Sequence, residues 1–212
     1  MKILSVNTGG SNEITFNGVT LKTSMVRTPQ SKIQINFKQV QGDEFFGKQI
    51  HGIPDCIVYA LCAEKYKQWE KILDQSMPWG KFGENLTIDK MDEHDFKIND
   101  EYTVGSALLR VTGPRYPCNR LNFVTQIDGM REKFRDQGWP GVYFEVVKEG
   151  EAKAGDELVL KTRHQSEVSV SELFQSIRAA EIKSPKNSTI EKVMNSSFIL
   201  ERHLKKIKSV YA

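Results

Sequence analysis

The chain has 212 residues, of which 39% are hydrophobic and 27% charged, an ordinary composition for a globular protein that excludes a disordered or fibrous one. Its formal net charge of +3 is too small to indicate nucleic acid as a partner and is compatible with a small anion bound at a local basic site. Its apolar runs are far shorter than the ~20 residues of a membrane-spanning helix, so no membrane association is expected.

The first residues and the cysteines both indicate a cytoplasmic protein. Residues 1–7 place polar side chains too often for the apolar stretch of ~7–15 residues that a signal peptide needs. The three cysteines, an odd number without a CxxC pair, are expected to be thiols in a reducing compartment. Cys56 and Cys62 lie in an apolar, tyrosine-rich stretch, and both are predicted to be buried packing residues.

Short strands separated by turn signals dominate residues 1–162. Residues 33–37 alternate apolar and polar side chains, and further strands are predicted at 102–104, 107–111 and 158–160, after Asn-Asp, Gly-Ser and Gly-Asp turns. Helical spacing of apolar residues predicts one helix over 63–73 and another over 127–134. The pattern favours a mainly β, barrel-like antiparallel domain over residues 1–162.

Three short amphipathic helices are predicted in residues 163–212. Ser169 and Glu172 have the spacing of a capping box, Ser188 and Glu191 repeat it, and a third helix is expected to begin near Ser197. Helices this short need partners, so they should pack together or on the barrel. This three-helix segment is interpreted as a structural cap. A nucleic-acid-binding helix-turn-helix is the less favoured alternative, because acidic residues match the basic ones until the last helix.

Residues 112–121 form the segment with the most chemical content. A strand leads into Pro114 and Pro117, which exclude a helix up to that point. Cys118 follows on this rigid turn, and the nearby cations of Arg115 and Arg120 favour a thiolate, the form that binds metals. The residues alone leave a functional thiol and a packed thiol as equal alternatives.

Three further segments are weaker signals. Residues 79–87 bring two glycines and a Glu-Asn pair to the start of a strand, which fits backbone close to a ligand but equally a plain hairpin turn. Residues 22–27 offer two hydroxyls and two cations to a phosphate. In residues 42–55, His51 could bind a metal together with nearby carboxylates, although a hydrogen-bonded loop explains that stretch better.

Together these segments resemble the MOSC domain family, named for the C-terminal domain of molybdenum cofactor sulfurase, and within it the bacterial YiiM-type proteins. The matching pieces occur in the family's order and cover nearly the whole chain: Gly42-Asp43, His51-Gly52, Phe82-Gly83-Glu84-Asn85-Leu86, Pro114-Arg115-x-Pro117-Cys118, Gly138-Trp139-x-Gly141 and the C-terminal helices.

The resemblance implies a β-barrel-like domain that binds the molybdenum cofactor, a molybdopterin, with Cys118 as the molybdenum ligand. It makes Cys118 and His51 the catalytic candidates. The implied residues for the cofactor's phosphate and pterin are Thr23, Ser24, Arg27, Arg115, Asn119 and Arg120. Those implied to shape the pocket or orient ligands are Asp43, His51, Glu84 and Asn85.

The same resemblance implies a molybdenum-dependent oxidoreductase that reduces small N-hydroxylated compounds, such as hydroxylaminopurine-type base analogues, in a detoxifying role. An external electron-donating reductase is expected, because the sequence has neither a CxxC framework for iron–sulfur nor a GxGxxG motif for flavin or nicotinamide. Two alternatives stay open: a non-catalytic sulfur or cofactor carrier that uses Cys118, and a small-anion-binding module without a redox role.

Overall fold

The computed structural model describes residues 1–44 and 54–212, and in that part of the chain strands outnumber helices two to one. The strands are β1 (Ile3–Thr8), β2 (Asn12–Phe16), β3 (Val19–Thr23), β4 (Thr28–Gln30), β5 (Lys32–Ile35), β6 (Val58–Cys62), β7 (Leu86–Ile88), β8 (Glu101–Val104), β9 (Ala107–Pro114), β10 (Val142–Lys148), β11 (Gly150–Lys153) and β12 (Leu158–Thr162). The helices are α1 (Ala63–Leu73), α2 (Arg120–Thr125), α3 (Met130–Gln137), α4 (Val170–Glu181), α5 (Ser188–Asn195) and α6 (Glu201–Tyr211), and a 3₁₀ turn covers Pro54–Cys56.

The main sheet closes on itself. Its eight strands follow the order β12-β8-β9-β10-β6-β7-β1-β4, and all neighbours are antiparallel except the parallel pair β6 and β7. Lys2, the residue before β1, forms an antiparallel bridge with Glu157, the residue before β12. Ile3 N donates to Asp156 O at 2.8 Å. The predicted barrel-like, mainly β fold is therefore confirmed.

Helix α1 has the bounds that apolar spacing predicts, whereas the helix predicted over 127–134 is shifted by three residues: α3 runs from Met130 to Gln137. A further helix, α2, lies before this range and was not expected. Gln126 (φ 62°) and Gly129 (φ 69°) both adopt the left-handed conformation, which ends α2 and separates it from α3. The first turn of the predicted helix is thus a connection between two helices.

The three C-terminal helices are present; the start of α4 is confirmed, and those of α5 and α6 differ from the prediction. Ser169 and Glu172 form the predicted capping box at α4. At α5 the cap is Asn187, whose side chain accepts from Ile190 N at 3.0 Å, rather than Ser188. Helix α6 begins at Glu201, not near Ser197. The division of the chain near residue 163 into two domains stays a prediction.

Two hydrophobic clusters hold the elements together. The larger one joins the inner face of the sheet to the buried sides of α4, α5 and α6, so the helices pack on the barrel as well as on each other. The second is rich in aromatic rings and lies between α1, α3 and the loop before β7; it includes Trp69, Phe82 and Phe134. The stacked rings of Trp69 and Phe134 have centroids 6.0 Å apart. Among the described residues, no helix is long and apolar enough to cross a bilayer.

His203 makes the docking of α6 sensitive to acid. The residue is partly exposed, but its Nε2 is buried against β9, where it would be 3.3 Å from a β-carbon placed on Gly113. Burial, reinforced by the charges of Arg202 and Lys206, lowers the pKa of His203 to about 3. The unfolded chain binds this proton near pH ~6.5, so the contribution to stability is complete above that pH and is lost as the pH falls towards 3.

His203→Leu should therefore reduce the acid sensitivity of the protein. The imidazole alone should destabilise the fold by about 2 kcal/mol at pH 5 relative to pH 8. We expect the melting temperature of the variant to fall less than that of the wild type between pH 8 and pH 5. Parallel melting curves across this range would contradict a buried neutral imidazole.

Candidate functional site

Five separate parts of the chain meet at one pocket on the barrel. Its empty volume is about 510 Å³, including the space at its open mouth. The lining residues come from the end of β3 and the loop after it, from the 3₁₀ turn and β6, from the loop before β7, from the segment between β9 and the start of α2, and from β10. They are Thr23, Ser24, Met25, Arg27, Cys56, Tyr59, Gly83, Asn85, Arg115, Arg120 and Tyr143.

The loop after β3 is pressed against the barrel by close backbone contacts. A β-carbon on Gly9 would lie 2.5 Å from Ser24 O and 2.6 Å from Val26 O, so only glycine fits there. Within the loop, Met25 N donates to the Thr23 hydroxyl at 3.1 Å. This packing brings the hydroxyls of Thr23 and Ser24 to the pocket beside Arg27.

Arg27 is held by a network of buried acceptors. Its guanidinium donates to Asp43 Oδ2 at 2.5 Å, to Asn85 Oδ1 at 2.8 Å and to Gly83 O at 2.5 Å. The side chain of Asp43 is completely buried and also accepts from Gly9 N at 2.9 Å. Asp43 therefore orients Arg27 from behind and does not line the pocket itself, whereas Asn85 belongs to the lining.

Arg115 is a buried cation without an acidic partner. The residue is 5% exposed, donates to Phe82 O, and lies over the rings of Tyr59 (5.0 Å) and Phe134 (5.9 Å). No carboxylate of the described residues lies within ion-pair distance of it, and residues 45–53 contain no Asp or Glu. A guanidinium buried without a counter-charge is costly, so this arrangement favours an anion in the pocket.

Of the two cysteines near the pocket, Cys56 belongs to the lining and Cys118 does not. Cys56, predicted to be a buried packing residue, is half-buried and lines the pocket, so that prediction is wrong. Burial raises the pKa of the Cys56 thiol to about 12, despite Arg202 Nη2 at 3.3 Å from its sulfur. Cys118 is half-buried beside the pocket, within electrostatic reach of Arg115 and Tyr143, but is not part of the lining. Cys62 is fully buried, as predicted.

Glu84 faces away from the pocket. Its Oε1 accepts from the Tyr66 hydroxyl at 2.6 Å, from Gly80 N at 2.7 Å and from the Thr87 hydroxyl at 3.0 Å. The side chain thus stabilises the turn beneath the aromatic cluster.

Of the remaining predicted site residues, Arg120 lines the pocket, Asn119 is exposed outside it, and His51 lies outside the described residues.

The buried position of Glu84 predicts a pH-dependent stability. Burial raises its pKa, although the hydrogen bond from Tyr66 opposes the shift. The folded protein therefore keeps this proton longer than the unfolded chain, and stability is lost as the pH rises above about 4.3. Glu84→Gln, which carries no titrating group, should gain in melting temperature relative to the wild type between pH 4 and pH 8. A constant difference over this range would show that the carboxyl does not titrate there.

Aromatic residues of the pocket were not predicted from the sequence. Tyr59 and Tyr143 both line it, with ring centroids 5.0 Å apart, and burial raises the pKa of Tyr143 to about 12. Each tyrosine has apolar neighbours on both sides in its strand, so the sequence predicts a core side chain. Only the pairing of the strands reveals them together: Tyr143 lies opposite Gly113 of β9 on one side and opposite Tyr59 of β6 on the other.

The sequence profile of the MOSC domain matches residues 47–159, which is more than half of the chain. The chain belongs to the MOSC domain family. YflK of Bacillus subtilis is 31% identical over 169 residues, covering 79% of this chain and 76% of that protein. YiiM of Escherichia coli is 31% identical over 136 residues, covering 63% of this chain and 60% of that protein. A protein of Gibberella moniliformis named "Reductase" is 32% identical over 150 residues, and this chain covers only 26% of its length.

Solved structures share the fold of this MOSC domain. The crystal structure of YiiM from Geobacillus stearothermophilus superimposes with a TM-score of 0.79 at 23% identity, covering 100% of this chain and 99% of that one. YiiM from Escherichia coli gives a TM-score of 0.67 at 19% identity, covering 95% and 91%. The likeness extends across the C-terminal helices as well as the barrel.

The residues of the pocket fit the phosphate of a molybdopterin. Thr23, Ser24, Arg27, Arg115 and Arg120 converge there although they come from segments about 90 residues apart. Arg27 Nε is buried without an acceptor among the described residues, and Arg115 has no counter-charge. No cluster of three or more His, Cys, Asp or Glu side chains suited to a metal ion occurs in the described ranges.

Proposed function

We propose that this MOSC domain is a molybdenum-cofactor-dependent reductase of small N-hydroxylated compounds, with Cys118 as the protein ligand to molybdenum. The observation that carries the proposal is the buried, uncompensated guanidinium of Arg115 in a pocket shared with Arg27 and Arg120. The family membership and the fungal relative named "Reductase" support it.

The chain's own residues have distinct tasks in this proposal. Arg115, Arg27 and Arg120 bind the phosphate by charge-assisted hydrogen bonds, together with the hydroxyls of Thr23 and Ser24. The rings of Tyr59 and Tyr143 bound the pocket and reduce the water around the bound group.

Cys118 is the cysteine best suited to a metal. A thiolate is a soft ligand, as a metal already bound by sulfur prefers, and the raised pKa of Cys56 leaves that second thiol protonated at neutral pH. The bound cofactor would supply two-electron redox chemistry.

The overall reaction replaces an N–OH group by N–H and releases water. It consumes two electrons and two protons, and the sequence contains no motif for a second redox group that could deliver the electrons. A separate electron-donating reductase is therefore part of the proposal.

Quantification of molybdenum and pterin tests the proposal directly. The protein is purified from cells with an intact cofactor pathway and assayed with a hydroxylaminopurine and a reducing partner. We expect about one molybdenum per chain, together with turnover. Molybdenum without turnover would favour the carrier function, and protein that contains neither metal nor pterin would leave only the anion-binding module.

A further inference from the structure

The C-terminal helices contact the segment that carries Arg115 and Cys118. Tyr116 lies between these two residues in the chain, and its hydroxyl donates to Glu181 Oε2 at the end of α4. Its ring packs against Phe174 of the same helix, with centroids 5.6 Å apart. The helices therefore contact the segment through Tyr116, which does not line the pocket.

Glu181 is the centre of this contact. Besides the Tyr116 hydroxyl, its carboxylate accepts from Arg131 at 2.9 Å and Arg135 at 3.0 Å on α3, and from Lys206 Nζ at 3.3 Å on α6. Burial alone would raise the pKa of Glu181, but the bond from Tyr116 and the charges of Arg135 and Lys206 outweigh it and lower the pKa to about 2. The carboxylate is ionised at any physiological pH and joins three helices to one loop.

The ring of Tyr116 is fixed on a second side by a cation. Lys206 Nζ lies 4.1 Å from its centroid while the same ammonium group reaches Glu181. Hydroxyl and ring are thus restrained together, which leaves Tyr116 little freedom to rotate.

The backbone around Tyr116 transmits this restraint to the site. Pro114 and Pro117 each fix their own φ near −65°, and Pro117 also restricts Tyr116 to extended backbone, so few free torsions separate Tyr116 from Arg115 and Cys118. Arg115 precedes Tyr116 and is directed into the pocket, and Cys118 follows Pro117 directly. A shift of the Tyr116 ring therefore displaces both the guanidinium and the thiol.

We propose that Glu181 is a positioning residue of the MOSC site: through Tyr116 it sets the placement of Arg115 and Cys118. The importance of this placement rests on the proposed function, but the placement itself can be measured in protein without cofactor. The C-terminal helices then help to position the site residues, although Glu181 itself does not line the pocket.

The test compares Glu181→Gln and Tyr116→Phe with Glu132→Gln. Glu132 also pairs with Arg131, at 2.8 Å, but is exposed and does not touch Tyr116, so its loss is a matched control. The rate of Cys118 alkylation by iodoacetamide is followed by peptide mass spectrometry, with buried Cys62 as the internal reference. We expect Glu181→Gln and Tyr116→Phe to change the Cys118 rate by about threefold or more, with Cys62 unchanged and Glu132→Gln equal to wild type.

Melting temperatures measured beside the labelling separate positioning from simple stabilisation. If both variants have lower melting temperatures but their Cys118 is alkylated at the wild-type rate, Glu181 only stabilises the packing of the helices and the proposal is overturned. An effect of Glu181→Gln that Tyr116→Phe does not share also overturns it. Altered Cys118 labelling in a protein that never carries molybdenum would support this inference while ending the proposed function.

Discussion

Cys118→Ser is expected to abolish reductase activity and to lower the molybdenum content of the purified protein severely. Serine oxygen is a harder ligand than thiolate and ionises far less readily, so it should hold the metal poorly. Cys118 is half-buried and begins the turn into α2, where Leu121 N donates to its backbone carbonyl. That backbone bond does not depend on the side chain, so the variant should fold.

The matched control is Cys62→Ser, which alters a fully buried thiol on β6 away from the pocket. We expect it to reduce the melting temperature without reducing molybdenum per folded chain. A folded Cys118→Ser protein with full molybdenum and full turnover would falsify the proposed ligand and the carrier alternative with it.

Arg27→Met should destabilise the fold by about 3–5 kcal/mol, because it leaves the buried carboxylate of Asp43 without its partner. The pair is 2.5 Å apart, with the Arg27 and Asp43 side chains only 9% and 0% exposed. For a chain of this size the loss corresponds to a drop in melting temperature of about 10 °C. Denaturant unfolding and calorimetry would measure it.

Two comparisons show whether the effect is that of a buried pair. Lys22→Met breaks the Lys22–Glu13 pair, whose side chains are 62% and 64% exposed, and should cost less than about 0.5 kcal/mol. Removing both charges in Arg27→Met/Asp43→Leu should recover much of the stability lost in the single variant. A single variant as stable as the wild type would mean that the pair is not desolvated in solution.

The elements that could be predicted from the sequence are those with a local cause. Apolar spacing defines α1, and the serine–glutamate pair defines the start of α4. Helix α2 has only six residues, too few for a periodic stripe, and it was missed. At α5, Asn187 and Ser188 are both good caps next to each other, and only the backbone conformation decides between them.

The same limit applies to the candidate site, whose contacts depend on the tertiary fold. Glu84 and Asn85 are neighbours in one motif, but they lie at the bend that leads into β7, and their side chains leave it in different directions. Asn85 therefore reaches the pocket while Glu84 reaches the aromatic cluster, and the sequence contains nothing that reveals which is which. Likewise Glu181 lies 65 residues from Tyr116, and their contact exists only after α4 packs on the barrel.

The closure of the barrel by Lys2 and Glu157 also affects how the protein can be synthesised. The last residues of β1 pair with nearby β4, but the residues that complete the edge at Lys2 and Ile3 are synthesised more than 150 positions later. At a translation rate of about 5–20 residues per second, the nascent chain keeps that edge unpaired for roughly ten seconds or longer. Unpaired edges invite association with other chains. Chaperones that cover β1 during elongation should therefore raise the yield of folded protein, and slower translation should lower it.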